Sequence, residues 1–207
     1  MYSNLPYFVF GFHGCDIETK EAVLHGKEDL EPSKNSYDWL GSGIYFWEQN
    51  QQRAMEFARL AHNNPGKYTS KPINTPAVLG AVIDLGHCLN LMDSFHTKRL
   101  SEAYSVLEHA LKQTGGKLPT NKGRQPDKPV RELDKSVIET LHIMMGTGDQ
   151  TRPYDTVRGL FMEGDEVYPG AKFQQNTHIQ ICVRNINCIK AFFDPREKVD
   201  NGFSKLD

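Results

Sequence analysis

Two short segments of this chain carry residue types that could do chemistry together. One is Phe12-His13-Gly14, at the end of the short apolar stretch Tyr7 to Phe12. The other is Asp38-Trp39-Leu40-Gly41-Ser42-Gly43-Ile44-Tyr45-Phe46-Trp47-Glu48, where two glycines lead into an aromatic run. A strand-end histidine can hydrogen-bond a ribose hydroxyl through one ring nitrogen. A glycine beside it has no Cβ to clash, so backbone groups there can approach a ligand. Gly41 and Gly43 would let the chain pass close beneath that ligand, and the Tyr45 ring could stack on a flat heterocycle. Each segment alone has a plain structural explanation: a turn histidine in one, a tight turn into a core strand in the other. Their order, their spacing and the helical pattern that follows, with Ala54, Phe57 and Ala58, make the combination more specific than either part.

The combination resembles the two leading motifs of NAD-dependent ADP-ribosyltransferases of the poly-ADP-ribose-polymerase and diphtheria-toxin type: a strand-end His, then Gly-x-Gly-x-Tyr-Phe. The resemblance is clear over roughly residues 7–62. It implies an α+β fold, an ADP-ribosyltransferase-like split β-sandwich. In that fold two packed, mostly antiparallel sheets hold an NAD cleft between them. Residues 1–207 would form one catalytic domain, with a helical insertion at about 94–147. NAD would be the substrate, held by His13, Gly14, Ser42, Gly43 and Tyr45. Phe57 would stand, shifted, for the family's second stacking tyrosine. The implied reaction breaks the nicotinamide–ribose bond and transfers ADP-ribose to a macromolecular acceptor, nucleic acid or protein. By analogy, the context would be an intracellular toxin of a toxin–antitoxin or phage-defence system, which adds a neutralising antitoxin as a partner. Three alternatives stay open: an NAD glycohydrolase with water as acceptor, an NAD-dependent RNA 2′-phosphotransferase, and an inactive module that binds NAD or ADP-ribose.

The chain departs from the family at the catalytic glutamate, which opens a late strand of the type Asn-Glu-Tyr-Ile-Val-Tyr. The matching stretch here is Asn176-Thr177-His178-Ile179-Gln180-Ile181, with no glutamate. Glu163 or Glu166, on the preceding loop, could supply the carboxylate. Glu163 ranks first because it directly ends a strand. Alternatively Thr177 or His178 acts in a carboxylate-free site, as in divergent members of the superfamily. Strand alternation puts Thr177, Ile179 and Ile181 on one face and His178, Gln180 and Cys182 on the other, so the face that meets the cleft decides between them. Arg158 is a candidate phosphate contact. The candidate catalytic set is therefore His13, Tyr45, Glu163, Thr177 and His178.

The bulk properties narrow the setting. A length of 207 residues fits one domain with a substantial core. The formal net charge of −2 excludes a global basic field. A nucleic-acid partner would need a local patch, and Lys112, Lys117, Lys122, Arg124, Lys128 and Arg131 form the best one, on what is otherwise a solvated loop. No apolar run approaches the ~20 residues of a membrane helix, and Met1 to Pro6 lacks a basic, then apolar, leader pattern. The expected setting is cytoplasmic, without a membrane partner. Cys15, Cys88, Cys182 and Cys188 have no metal-ligand spacing and read as reduced thiols; no metal is expected.

The elements that must position these residues follow from pattern. A strand is expected over 7–12, then a helix from Ile17 to His25, capped by Asp16 and stopped by Gly26. A short strand at 43–47 precedes a helix capped by Asn50, and Pro65-Gly66 ends that helix. Ala77 to Leu85 is a central strand. Two helical stripes follow, from Ser94 or Thr97 to Gly115 and from Leu133 to Gly146. Strands are expected over 156–162, 177–184 and 186–193.

Overall fold

In the computed structural model, residues 8–123, 130–147 and 152–196 are described. Strand β1 spans Phe8–Asp16, four residues beyond the expected end, because β3, Pro76–Asp84, pairs with its whole length from Phe8↔Asp84 to Asp16↔Pro76. Asp16 then starts helix α1, Ile17–Leu24. Its carboxylate accepts from Glu18 N at 2.9 Å, Asn74 N at 2.6 Å and Thr75 N at 2.8 Å, so one side chain caps α1 and fixes the approach to β3. Burial pushes the Asp16 carboxyl up, but these three donors outweigh it and leave it below its ordinary range.

Strand β2, Ile44–Glu48, leads through Asn50 into helix α2, Gln51–Asn63. The Asn50 side chain accepts from Arg53 N at 3.0 Å, the expected cap. After β3 comes β4, Cys88–Asn90, a short strand that the sequence pattern does not announce. Helix α3, Ser94–Thr114, starts at Ser94, one of the two expected starts, and is capped by Asp93. A small ladder of β5, Asn121–Lys122, and β6, Val130–Arg131, precedes helix α4, Glu132–Gly146. The chain then adds β7, Thr156–Phe161, β8, His178–Val183, and β9, Ile189–Phe193.

Among the described residues the result is a mixed α+β fold with four helices and one seven-stranded sheet, ordered β4-β7-β8-β2-β1-β3-β9. The β4–β7 pair is parallel and the other pairs are antiparallel. A single hydrogen-bonded sheet thus stands where two packed sheets are expected, because β1 and β2 still share two register pairs.

Both faces of the sheet are covered. One carries Val9, Phe46, Leu79, Ile83, Ile181 and Val183 under α1's Val23. On the other, α4 packs Val137, Ile138, Leu141 and Met145 onto Leu40, Leu89, Val157 and Cys182. Leu141 is buried, which stabilises the fold by roughly 1.5–3 kcal/mol for a side chain of this kind. The helices of the 94–147 segment therefore build core rather than decorate it.

Candidate functional site

The ladder between β1 and β2 is short. Gly11 faces Glu48 and Phe12 faces Trp47, and there the pairing ends. Beyond that point β2 follows β8, from Phe46↔Ile181 to Ile44↔Val183, while β1 follows β3. The sheet opens between His13-Gly14 on one lip and Tyr45 on the other. A side chain crosses the opening: His13 Nδ1 donates to the Tyr45 carbonyl at 2.8 Å. The carbonyl can only accept, so Nδ1 carries the proton and Nε2 keeps its lone pair. Burial lowers the pKa of His13, against the opposing pull of this hydrogen bond, so the ring is neutral near pH 7. His13 thus lies inside β1, yet at the end of the ladder on the β2 side.

The glycine-rich turn is held from within the chain. The Tyr45 hydroxyl donates to Gly41 O at 2.8 Å and accepts from Leu40 N at 3.0 Å. Burial pushes this phenol well above its ordinary pKa. Gly41 has φ +84°, a left-handed conformation that favours glycine. Ser42 N donates to Glu139 Oε1 at 2.6 Å, and Ser42 O accepts from Arg184 Nη1 at 3.0 Å. Gly43 exchanges backbone hydrogen bonds with Ser33 at 2.8 and 3.1 Å. A Cβ on Gly43 would stand 2.5 Å from Cys182 Sγ, and one on Gly14 would stand 2.2 Å from Ala54 O. These positions were expected to leave backbone free for a ligand. Instead, the Ser42 and Gly43 N–H groups are committed internally, and Gly14 is what lets α2 sit on β1.

A second group lies where α2 meets β8. Tyr45 pairs with Cys182 and Trp47 with Gln180, so His178 shares the face of both aromatic rings. Thr177 precedes the strand and is exposed. His178 is 5% exposed; its Nδ1 donates to Asn176 O at 2.6 Å, and its Nε2 has no hydrogen-bond partner among the described residues. Burial pushes its pKa down to about 4. Its ring lies 5.5 Å from Phe161 and 6.1 Å from Trp47. Arg53 of α2 reaches Glu163 at 2.8 Å and Glu56 at 2.5 Å. Arg53 Nε and Trp47 Nε1 are also buried without a partner among the described residues. Two bare donors and one bare acceptor in one seam fit a polar ligand or water, since such atoms are rarely left unpaired.

The structure thus gathers the candidate residues into two groups. His13, Gly14, Ser42, Gly43 and Tyr45 meet at the opening, although alternation puts the His13 side chain with Val9 and Phe46, on the face opposite Tyr45. Glu163 and His178 meet at the α2 seam, four residues along β8 from the Tyr45 level, or about 13 Å at ~3.3 Å per residue. Phe57 is not beside Tyr45; its ring packs on Trp47 at 5.0 Å. Arg158 is not free for phosphate, because Glu48 takes its Nη2 at 2.7 Å and its Nε as well. Glu166 accepts from Gly170 N at 2.7 Å and staples its own loop.

Four residues enter the sites that sequence reasoning passed over: Trp47, Arg53, Glu139 and Arg184. Arg53 had a signal, since the Asn50 cap places it in the first turn of α2, one turn before Phe57. Glu139 and Arg184 had none, because they are 45 residues apart and meet through tertiary packing. Burial pushes the Glu139 carboxyl up, but Arg184 and the Ser42 N–H pull it down to about 2.

Among the described residues no cluster of three or more His, Cys, Asp or Glu is placed to hold a metal, and no helix is long and apolar enough to cross a membrane. All four cysteines are free. Arg124 and Lys128 of the basic stretch lie outside the described residues. No known protein family, curated protein or solved structure matches the chain.

Proposed function

We propose that this protein is an NAD-dependent ADP-ribosyltransferase acting on a macromolecule, with the cleft at the opening between β1 and β2. One observation carries the reading. The β1–β2 ladder stops at Phe12↔Trp47, and a neutral His13 bridges the gap to the Tyr45 carbonyl. The gap supports the reading because the His-Gly and Gly-x-Gly-x-Tyr-Phe segments flank it, although β1 and β2 stay in one sheet. The finer fold assignment, an ADP-ribosyltransferase-like split sandwich, rests on the same opening.

In this reading His13 Nε2 accepts from a ribose hydroxyl of NAD, while Nδ1 stays on the Tyr45 carbonyl. Tyr45 acts through the turn: its ring packs against the α4-side core, on the sheet face opposite His13, and its hydroxyl keeps the Gly41–Gly43 turn in place. The bond from the ribose anomeric carbon to the nicotinamide nitrogen breaks, and nicotinamide leaves neutral with the bonding pair. Positive charge develops on the ribose, and a carboxylate nearby lowers the barrier. Glu163, held by Arg53 about 13 Å along β8 from the Tyr45 level, is the candidate, and the loop that carries it must move toward the opening to act. The acceptor's nucleophile then bonds the same carbon, and its proton leaves through the bare Nε2 of His178 or to water. The setting proposed by analogy is an intracellular toxin with a cognate antitoxin.

The test is incubation with NAD alone, then with RNA or with protein extract. Nicotinamide release that needs an acceptor, with label on RNase- or protease-sensitive material, supports the transferase. Release into water alone makes it a glycohydrolase. The absence of a glutamate at the head of β8 favours one rival, a binding module without chemistry, and NAD binding with no nicotinamide release would establish it.

A further inference from the structure

An open groove of ≈ 490 Å³ lies between the loop carrying Lys34 and Ser36 and the first turns of α4, where Glu132, Lys135, Ser136 and Glu139 line it. Its two carboxylates are neutralised from within the chain. Glu132 pairs with Lys122 at 2.7 Å. Glu139 accepts from Arg184 at 2.9 and 3.0 Å and from Ser42 N at 2.6 Å. The cations are not neutralised to the same degree. Lys34 is exposed and has no ion pair among the described residues. Lys135 donates to a neutral acceptor, Asn35 O, at 2.5 Å, with the buried Asp38 as the acid it feels. Lys117 is exposed, two residues before Pro119, which also lines the groove. The groove is therefore locally positive in a chain whose net charge is −2.

Its place matters as much as its charge. The lining loop runs on into Asp38–Tyr45, and Glu139 at the groove is the group that holds Ser42 N. A ligand lying in the groove is thus adjacent to the turn that would hold NAD. A cavity of this size is on the scale of a small-molecule pocket, so it takes a nucleotide or two of one strand and not a duplex.

The geometry points to single-stranded nucleic acid as the occupant of this groove, with its phosphates on Lys34, Lys117 and Lys135 and one nucleotide presented to the Gly41–Tyr45 turn. As the acceptor class, this rests on the transferase reading; as a binding site, it does not. A positive groove that tracks a single backbone binds with a strong salt dependence.

The experiment is fluorescence anisotropy with fluorescein-labelled single-stranded RNA and DNA of mixed sequence, without NAD. The wild-type chain binds at low salt. Lys34→Glu and Lys117→Glu, both at exposed positions, each weaken binding about tenfold, and each lowers the slope of log affinity against log salt by about 0.7. Lys190→Glu, on β9 at the far edge of the sheet, leaves binding unchanged. The RNA and DNA arms decide which sugar is preferred. No binding to either, or the same loss in the Lys190 variant, overturns the proposal. Equal binding of a fluorescent oligo-glutamate also overturns it and assigns an acidic peptide. Nicotinamide release is measured in parallel. Nucleic-acid binding without release keeps the groove and removes the transferase; release without nucleic-acid binding does the reverse.

Discussion

Removing the Tyr45 hydroxyl separates two roles that the sequence motif merges. In Tyr45→Phe the ring remains, but Leu40 N–H loses its acceptor at 3.0 Å and Gly41 O loses a donor at 2.8 Å. Leu40 is fully buried, so no solvent replaces the lost partner. Gly41 O keeps a weak contact from the Cys182 thiol at 3.5 Å, so most of the cost falls on the amide. A stranded buried donor costs about 1–3 kcal/mol. We take about 2 kcal/mol, which lowers the melting temperature by about 4–8 °C in a chain of this length. Burial keeps the phenol protonated, so the loss is the same from mildly acidic to mildly alkaline buffer. Calorimetry and urea unfolding of both proteins read the effect. Activity adds a second reading. A loosened turn raises KM for NAD with little change in kcat, whereas Tyr45→Leu, which removes the ring, loses most activity. A Tyr45→Phe protein that melts within about 1 °C of wild type refutes the turn-holding role. If its NAD affinity falls as well, the hydroxyl touches the substrate.

Gly14→Ala forces a methyl to within 2.2 Å of a helix carbonyl, and we expect a loss of about 1–3 kcal/mol in urea unfolding; an unchanged midpoint would show that α2 does not need this glycine. Glu163→Gln is expected to lower turnover by ~10²–10³ with little change in NAD affinity, and Glu166→Gln far less. If both glutamate variants stay active while Thr177→Ala or His178→Ala is dead, the catalytic group lies at the head of β8. His178 also makes stability depend on pH. Its pKa falls from an ordinary 6.5 to about 4 on folding, so the unfolded chain binds the extra proton. The His178 contribution is complete above pH 6.5 and is lost as pH falls toward 4, by about 3 kcal/mol in all. Urea midpoints of wild type and His178→Gln across that window should converge on acidification, and parallel curves would contradict the assignment.

Local signals located most elements of this fold. Asp16 and Asn50 cap α1 and α2 through their own side chains, as their residue types require. The apolar stripes of α3 and α4 end where Gly115 and Gly146 stand. What stayed hidden depends on partners distant in sequence. Nothing in residues 13–16 says that β1 continues; β3 says it, by pairing as far as Asp16↔Pro76. Cys88–Asn90 is too short to show alternation and becomes a strand only because β7 lies parallel to it. The same limit applies at the seam. Strand alternation sets Thr177 apart from His178, but Thr177 falls just before β8, and the face of His178 needs the β2–β8 register, which places it with Tyr45 and Trp47.

The segment 94–147 shows why a motif alone underdetermines a site. As a sequence it reads as an insertion on a core that could stand without it. In the fold, α4 covers Leu40, Leu89, Val157 and Cys182, all fully buried, and its Glu139 carboxylate holds Ser42 N. Arg184, at the end of β8, completes the arrangement by bonding both Glu139 and Ser42 O. The Gly41–Gly43 turn therefore owes its position to two residues outside the motif, both far downstream of it in sequence. Glycines make the turn sterically available, since Gly41 is left-handed and a Cβ there would meet Arg184 and Glu139 at 2.7 and 2.9 Å. They do not hold it. The ion pair does so through charge-assisted hydrogen bonds, stronger than the neutral kind. A change on α4 can therefore alter the geometry at Tyr45 without touching any residue of the motif. That dependence links the groove beside Glu139 to the opening beside His13 through one carboxylate and one turn.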